Sequence, residues 1–206
     1  MEDVIIIGAG GHAKVIADIL LENGEYNIIG LIDSDKNKSF MDLFVIGDDS
    51  CLEALFIRGI KKAFIALGSN SLRKKLSDNL KNIGYEFINV ISKHAVISTN
   101  ATIGDGIAIM PGAIINAFAK IEDGCIINTN SSVDHDVIIR QYTHIAPGSA
   151  VAGGVTIGEN SFLGTGCRVI DQIKIGNNVI IGAGAVVINN IEDNHLAVGI
   201  PAKIKK

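Results

Sequence analysis

From Ala95 onward the chain reads in blocks of six, and the third residue of every block is Ile, Val or Leu for sixteen blocks without a break. The row begins Ile97, Ile103, Ile109 and ends Ile175, Ile181, Val187; eleven of its sixteen members are isoleucine. An amphipathic helix repeats its apolar positions near every 3.6 residues and a half-buried strand every second residue. A strict period of six is neither. It predicts a parallel β-helix, in which each block supplies one short strand and one corner and three blocks complete a coil. Turn-forming residues crowd the block ends, as in Gly104-Asp105-Gly106, Gly153-Gly154 and Gly176-Asn177-Asn178. Corners need them, because positive φ is cheap only for Gly and, less so, for Asn or Asp.

Residues 1–90 have a different grammar. Val4–Ile7 reads as a short buried strand, Gly8-Ala9-Gly10-Gly11 as a tight turn, and His12 to Asn23 as a helix. The apolar face of that helix is Val15, Ile16, Ile19 and Leu20, and Gly24 is its stop. Ile28–Ile32 and Lys62–Leu67 read as further strands, and Phe87–Ile91 closes the unit. Between them Ser71 to Asn82 is amphipathic, with Leu72, Leu76, Leu80 and Ile83 on one face and Arg73, Lys74, Lys75 and Lys81 off it. Strands alternating with helices imply a parallel sheet. The expected organisation is a Rossmann-like half domain over 1–90 and a β-helix over 91–206. Rows of outward apolar residues on the β-helix, such as Ile107, Ile109 and Ile126 near Ile138, predict an interface between copies.

Composition then narrows the function. Net charge is −4, with no basic run beyond the tail Lys203–Lys206, so nucleic acid has no electrostatic footprint here. No apolar run is long enough to span a bilayer, and no basic segment precedes the first strand, so no secretory signal is visible and the cytoplasm is the expected location. Cys51, Cys125 and Cys167 form neither a disulfide framework nor a metal motif, and Cys125, opening its block, reads as structural. Catalytic zinc uses three protein ligands and a water. His135 and His144 lack a third outward histidine in the repeat, so no metal is expected.

Gly8-x-Gly10-x-x-Ala13 lies between a strand and a helix, the context of a phosphate-binding turn. Asp33, at the end of the second strand, stands where an acidic residue often meets a ribose hydroxyl. A full dinucleotide fold needs two such halves; this unit offers one, so a nucleotide diphosphate fits its size better than NAD. Gly68-Ser69-Asn70 closes another strand at the same edge. In the β-helix, His135 stands between Asp134 and Asp136. A carboxylate beside an imidazole holds one tautomer and raises its basicity, as a general base requires. The plain alternative is a solvated corner histidine, and for His144 a plain surface one.

These residues together resemble the sugar O-acyltransferase family of the sialic acid O-acetyltransferase type, which includes bacterial nucleotide-amino-sugar N-acetyltransferases. The resemblance spans essentially the whole chain. Its carriers are Ile7-Gly8-Ala9-Gly10-Gly11-His12-Ala13-Lys14, Ala66-Leu67-Gly68-Ser69-Asn70 with Arg73-Lys74-Lys75, Asn128-Thr129 with Val133-Asp134-His135-Asp136, His144-Ile145-Ala146-Pro147-Gly148, and Gly199-Ile200-Pro201-Ala202-Lys203. It implies a left-handed β-helix that forms a homotrimer, with acetyl-CoA as co-substrate lying between neighbouring β-helices. It makes His135 the base and Asp136 its orienting carboxylate. It puts His144, Gly153, Thr165 and Ala183 at acetyl-CoA, with a Gly153 N–H meeting the thioester oxygen. Gly10, Gly11, His12, Asp33 and Gly68 would hold the nucleotide-sugar, and Asn128 would lie near the base. Arg140 departs from the Gly common at that corner, and Ser69 from an Asn. The activity so implied is N-acetylation of a nucleotide-linked amino sugar for surface glycan. O-acetylation of a sialic-acid-like sugar is the alternative within enzymes, and a non-catalytic nucleotide-binding partner of a sugar synthase the alternative outside them.

Overall fold

The structure, a computed structural model, describes residues 1–205. It divides into two compact units, Met1–Val90 and the chain from Ile91 on. The first unit runs β1 (Glu2–Ile7), α1 (Gly11–Asn23), β2 (Tyr26–Ile32), β3 (Ser39–Phe40), β4 (Leu43–Gly47), α2 (Leu52–Ile57), β5 (Lys62–Ile65), α3 (Asn70–Ile83) and β6 (Glu86–Phe87). The sheet order is β3-β4-β2-β1-β5-β6, and β1 pairs in parallel with both β2 and β5. Val4 to Ile7 are buried throughout, as a central strand covered on both faces requires. Gly24 and Gly84, both in the left-handed region, end α1 and α3 by donating their N–H groups to Leu20 and Leu80 carbonyls.

The helical faces differ in part from the apolar pattern. On α1, Ala13, Ile16, Ala17, Ile19 and Leu20 are buried, and Val15 is exposed. On α3, Arg73 is only 2% exposed while Leu72 is 44% exposed. The guanidinium is satisfied inside, donating to the Leu67 carbonyl at 3.0 Å and the Asn70 side-chain oxygen at 2.9 Å, so its burial need not leave donors unpaired. Leu72 and Leu76 instead line an open cleft.

From Val96 to Val187 the second unit is a stack of two-residue strands on three faces. Each inward residue pairs with the residue eighteen positions on: Ile127, Ile145, Leu163 and Ile181 on the first face, Ile115, Val133, Val151 and Val169 on the second, and Ile121, Ile139, Ile157 and Ile175 on the third. All of these are buried. Each such side chain contributes about 1.5–3 kcal/mol by leaving water. A second inward row, two residues earlier in each block, includes Cys125, Ser131, Val137, Thr143, Ser149 and Cys167. Its hydroxyls are paired inside: Thr143 donates to the Gly158 carbonyl at 2.7 Å and Ser149 to that of Gly164 at 3.0 Å.

Every sixth residue from Gly106 to Gly184 has positive φ, which turns each corner. Asp136 is one of them, at φ 59°. Leu196–Val198 extends the first face in parallel, and Lys203–Ile204 folds back on it antiparallel. The outward row proposed from the sequence needs correction. Ile107 and Ile109 point into the core and Ile126, though outward, is buried. The exposed apolar side chains are Val96, Ile114, Phe118 and Ile180 among others. Ile109 belongs to the inward row that the six-residue period already marks, and Ile107 to the second inward row two residues earlier, so neither can face outward.

Candidate active site

The corner between the second and third faces presents His135. Val133 points inward and Asp134 leads into the turn, so the imidazole emerges at the edge, its side chain 60% exposed. Its Nδ1 lies 2.9 Å from Asp136 Oδ2. Because that oxygen is a carboxylate acceptor, Nδ1 carries the proton, which leaves the Nε2 lone pair for a substrate. The hydrogen bond to Asp136, and then the charge of Asp134, raise the imidazole above the ordinary histidine value.

One coil on, Gly153 sits against the ring. A Cβ there would come within 2.6 Å of both Cε1 and Nε2 of His135. Gly153 does not have positive φ, so room for the imidazole, not backbone strain, explains the glycine. In the coil of His135, Asp134 accepts the His135 N–H at 2.8 Å. The equivalent residue one coil on is Ala152, which cannot do so, and the Gly153 N–H has no acceptor among the described residues. A base and an open backbone donor thus stand side by side, the two groups that attack on a carbonyl requires.

His144 lies elsewhere. It is outward on the first face, which in a three-sided prism is the face opposite the His135 corner. It is only 7% exposed and is packed edge-on to Phe162, ring centroids 5.1 Å apart, so it is not the plain surface histidine of the alternative. Asn128 Oδ1 accepts the Thr129 N–H at 2.8 Å, which fixes the amide so that Nδ2 donates to His144 Nε2 at 3.0 Å. Nε2 is therefore the acceptor and Nδ1 the protonated nitrogen. Thr165 and Ala183 stack on the corner that follows this face, the Gly184 N–H donating to the Thr165 carbonyl. The sequence-derived residues thus fall into two groups within one chain: His135, Asp136 and Gly153 on one edge, and Asn128, His144, Thr165 and Ala183 across the prism. Asn128 contacts His144, not the base.

Cys125 and Cys167 are wholly buried, and Cys125 donates to the Arg140 carbonyl. Burial pushes the Cys167 thiol up. Neither is placed as a nucleophile. Arg140 pairs with Glu122 at 2.6 Å on the next corner, away from the imidazole. Among the described residues no group of three His, Cys, Asp or Glu side chains could hold a metal ion, and no helix is long and apolar enough to cross a membrane.

In the first unit, two hollows flank the glycine turn. One, about 320 Å³, is lined by Ile7, Gly8, Asp33, Ser34, Leu67 and Leu72, among others. The other, about 370 Å³, is lined by Gly10, Gly11, Lys14, Asn37 and Lys38, among others. Gly8 has φ 108° and an added Cβ would meet Leu67, so this glycine serves close packing. Gly10 has ordinary φ and open space where a Cβ would be. Asp33 is more occupied than a ribose ligand would be: Oδ2 accepts the Ala9 N–H at 2.9 Å, Oδ1 the Asp35 N–H at 2.9 Å, and Lys38 lies 3.1 Å away. Burial alone would raise this carboxyl, but those three partners together hold it below the usual range. Asp33 braces the turn, and a ribose hydroxyl would have to displace Lys38. His12 lines neither hollow. Burial, and then the Arg73 charge, lower it to about 4, so it is neutral near pH 7. Lys38, which lines the second hollow and pairs with Asp33, was not singled out from the sequence.

Residues 3–80 match the family described as PglD N-terminal domain, and residues 154–189 the bacterial transferase hexapeptide family; the β-helix is accordingly the left-handed kind. A UDP-N-acetylbacillosamine N-acetyltransferase from Bacillus subtilis (strain 168) is 38% identical over 113 residues, 53% of this chain and 52% of that protein. An uncharacterised mimivirus protein, L142, matches over 20% of its length. The chain thus spans about half, or less, of the length of these two relatives. Two solved structures align over essentially the whole chain. PerB from Caulobacter crescentus, in complex with CoA and GDP-perosamine, is 43% identical with a TM-score of 0.96, covering 100% of this chain and 98% of that one. The acetyltransferase domain of PglB from Neisseria gonorrhoeae FA1090, in complex with acetyl coenzyme A, is 34% identical with a TM-score of 0.94, covering 99% of each.

Proposed function

The chain belongs to the family of nucleotide-amino-sugar N-acetyltransferases that join a PglD-type N-terminal domain to a hexapeptide-repeat β-helix, and from that premise we propose that it transfers the acetyl group of acetyl-CoA to the amine of a nucleotide-linked amino sugar. The observation that carries the reading is the His135–Asp136 pair beside the open Gly153 N–H. The amine nitrogen attacks the thioester carbonyl carbon while its proton passes to His135 Nε2. Asp136, and the Asp134 charge, stabilise the imidazolium so formed. The Gly153 N–H donates to the oxyanion, an interaction worth about 3–4 kcal/mol in comparable sites. The intermediate collapses by breaking the C–S bond, and the imidazolium proton goes to the departing thiolate. No covalent enzyme intermediate is needed, in keeping with the buried cysteines.

The hollow holding Lys14, Lys38 and the start of α1 suits a diphosphate, and the cleft beside it, walled by Leu67, Leu72 and Leu76, suits the nucleoside. The assembly we propose is a homotrimer. The base and Gly153 lie on one edge of the prism and His144, Thr165 and Ala183, the other residues expected at acetyl-CoA, lie across it, so one chain cannot bring them together and two neighbouring chains can. The same reading puts the work in the cytoplasm, in the synthesis of surface-glycan precursors, as part of the proposal. Thiol release from acetyl-CoA, measured with a panel of UDP-, GDP- and dTDP-linked amino sugars, tests the reading. Turnover with one of them is expected; no turnover with any, by a protein that still binds acetyl-CoA, contradicts it.

A further inference from the structure

Two carboxylates flank the base, yet only one touches the ring. Asp136 reaches Nδ1. Asp134 is turned away, its Oδ1 held between the His135 N–H and the Asn116 Nδ2, each at 2.8 Å. Asn116 comes from the preceding coil, eighteen residues earlier, where its own N–H is anchored on the Val133 carbonyl at 2.9 Å. The coils above and below put no other charge on this corner: Ala117 and Phe118 precede it, and Ala152 and Gly153 follow.

We infer that Asn116 is a positioning residue for the acetyl-transfer base, acting through Asp134 to decide which carboxylate the imidazole engages. The inference rests on His135 being the base. A free Asp134 would have two oxygens able to compete for the Nδ1 proton and rotate the ring off Gly153. Strapped to Asn116 and to the backbone, it leaves that proton to Asp136 and keeps Nε2 at the edge. Asp134 stays ionised in this arrangement, the Asn116 bond and then the His135 N–H holding it below the usual carboxylate range. Its charge is thus added to the imidazolium without a contact to the ring.

The test is a double-mutant cycle on purified variants whose assembly and melting temperature match the parent. Asn116→Ala is expected to lower kcat about 5- to 20-fold with both KM values within about twofold. Asp134→Asn is expected to lower kcat and to move the acid limb of the kcat/KM profile to lower pH, because a raising charge is removed. The double variant is expected to be no slower than Asp134→Asn alone, since Asn116 acts only through Asp134. Multiplying losses, or an Asn116→Ala enzyme with wild-type kcat, would overturn the role of Asn116. An intact His135→Ala enzyme would overturn the premise instead.

Discussion

At the scale of the residue, the account depends on one imidazole and what surrounds it. His135→Ala should lower kcat by about 100-fold or more with little change in either KM, as for a group acting mainly in the transition state. Asp136→Asn should cost less, because the base remains while its orientation is degraded. Steady-state kinetics decide both. The pH dependence follows from the direction of the shift. His135 must be neutral to accept a proton, so kcat/KM falls as pH drops through its pKa. That pKa is raised, chiefly by Asp136, so the acid limb lies above an ordinary histidine's, and Asp136→Asn should move it to lower pH. Gly153→Ala should lower kcat without unfolding the chain, because the backbone accepts alanine and the imidazole does not. A Gly153→Ala enzyme with wild-type kcat would show that the ring has slack. The corner position of His135 was legible from its spacing from the inward Val133, whereas Asp136 as its carboxylate was given only by the family resemblance. Asn116 was not legible, since its partner lies a full coil away and only the stacking register, eighteen residues, links them.

At the scale of the element, the β-helix was readable almost residue by residue, because one period governs both core and corners. Truncating a member of its inward row, as in Ile157→Ala, should cost about 2–5 kcal/mol, seen as a lower melting temperature. The first unit was less readable. β3, β4 and α2 are too short for their periodicity to show, and α3 inverted expectation at Leu72 and Arg73. Apolar side chains that looked like core are the wall of the cleft, and a buried guanidinium satisfied by local acceptors has no signature in a hydropathy pattern. The glycine turn divides by role: Gly8 packs, whereas Gly10 faces open space. Gly10→Val should therefore raise the KM for nucleotide-sugar while acetyl-CoA affinity is unchanged. Binding titrations showing the reverse would remove the turn from the sugar site. Asp33→Asn should also weaken nucleotide-sugar binding, by loosening the Ala9 N–H and Lys38 that it holds.

At the scale of the whole molecule, the proposed site is split. His135 with Gly153 and His144 with Asn128 lie on opposite sides of one β-helix, and no rearrangement of side chains joins them through a packed core. The sequence could place each histidine in a block. With three blocks to a coil, the nine-residue step between them carries the chain from a corner to the opposite face, as the structure shows. The trimer we propose, in which neighbouring chains contribute one group each, would resolve the separation. The direct measurement mixes two defective chains. His135→Ala and His144→Ala are each assayed alone, at acetyl-CoA well below KM, and then after being unfolded and reassembled together in equal amounts. Random reassembly pairs an intact His135 with a neighbour's intact His144 at about a quarter of sites. Recovery of activity toward that fraction of the wild-type rate is the predicted result; a mixture no more active than its two components would contradict a site shared between chains.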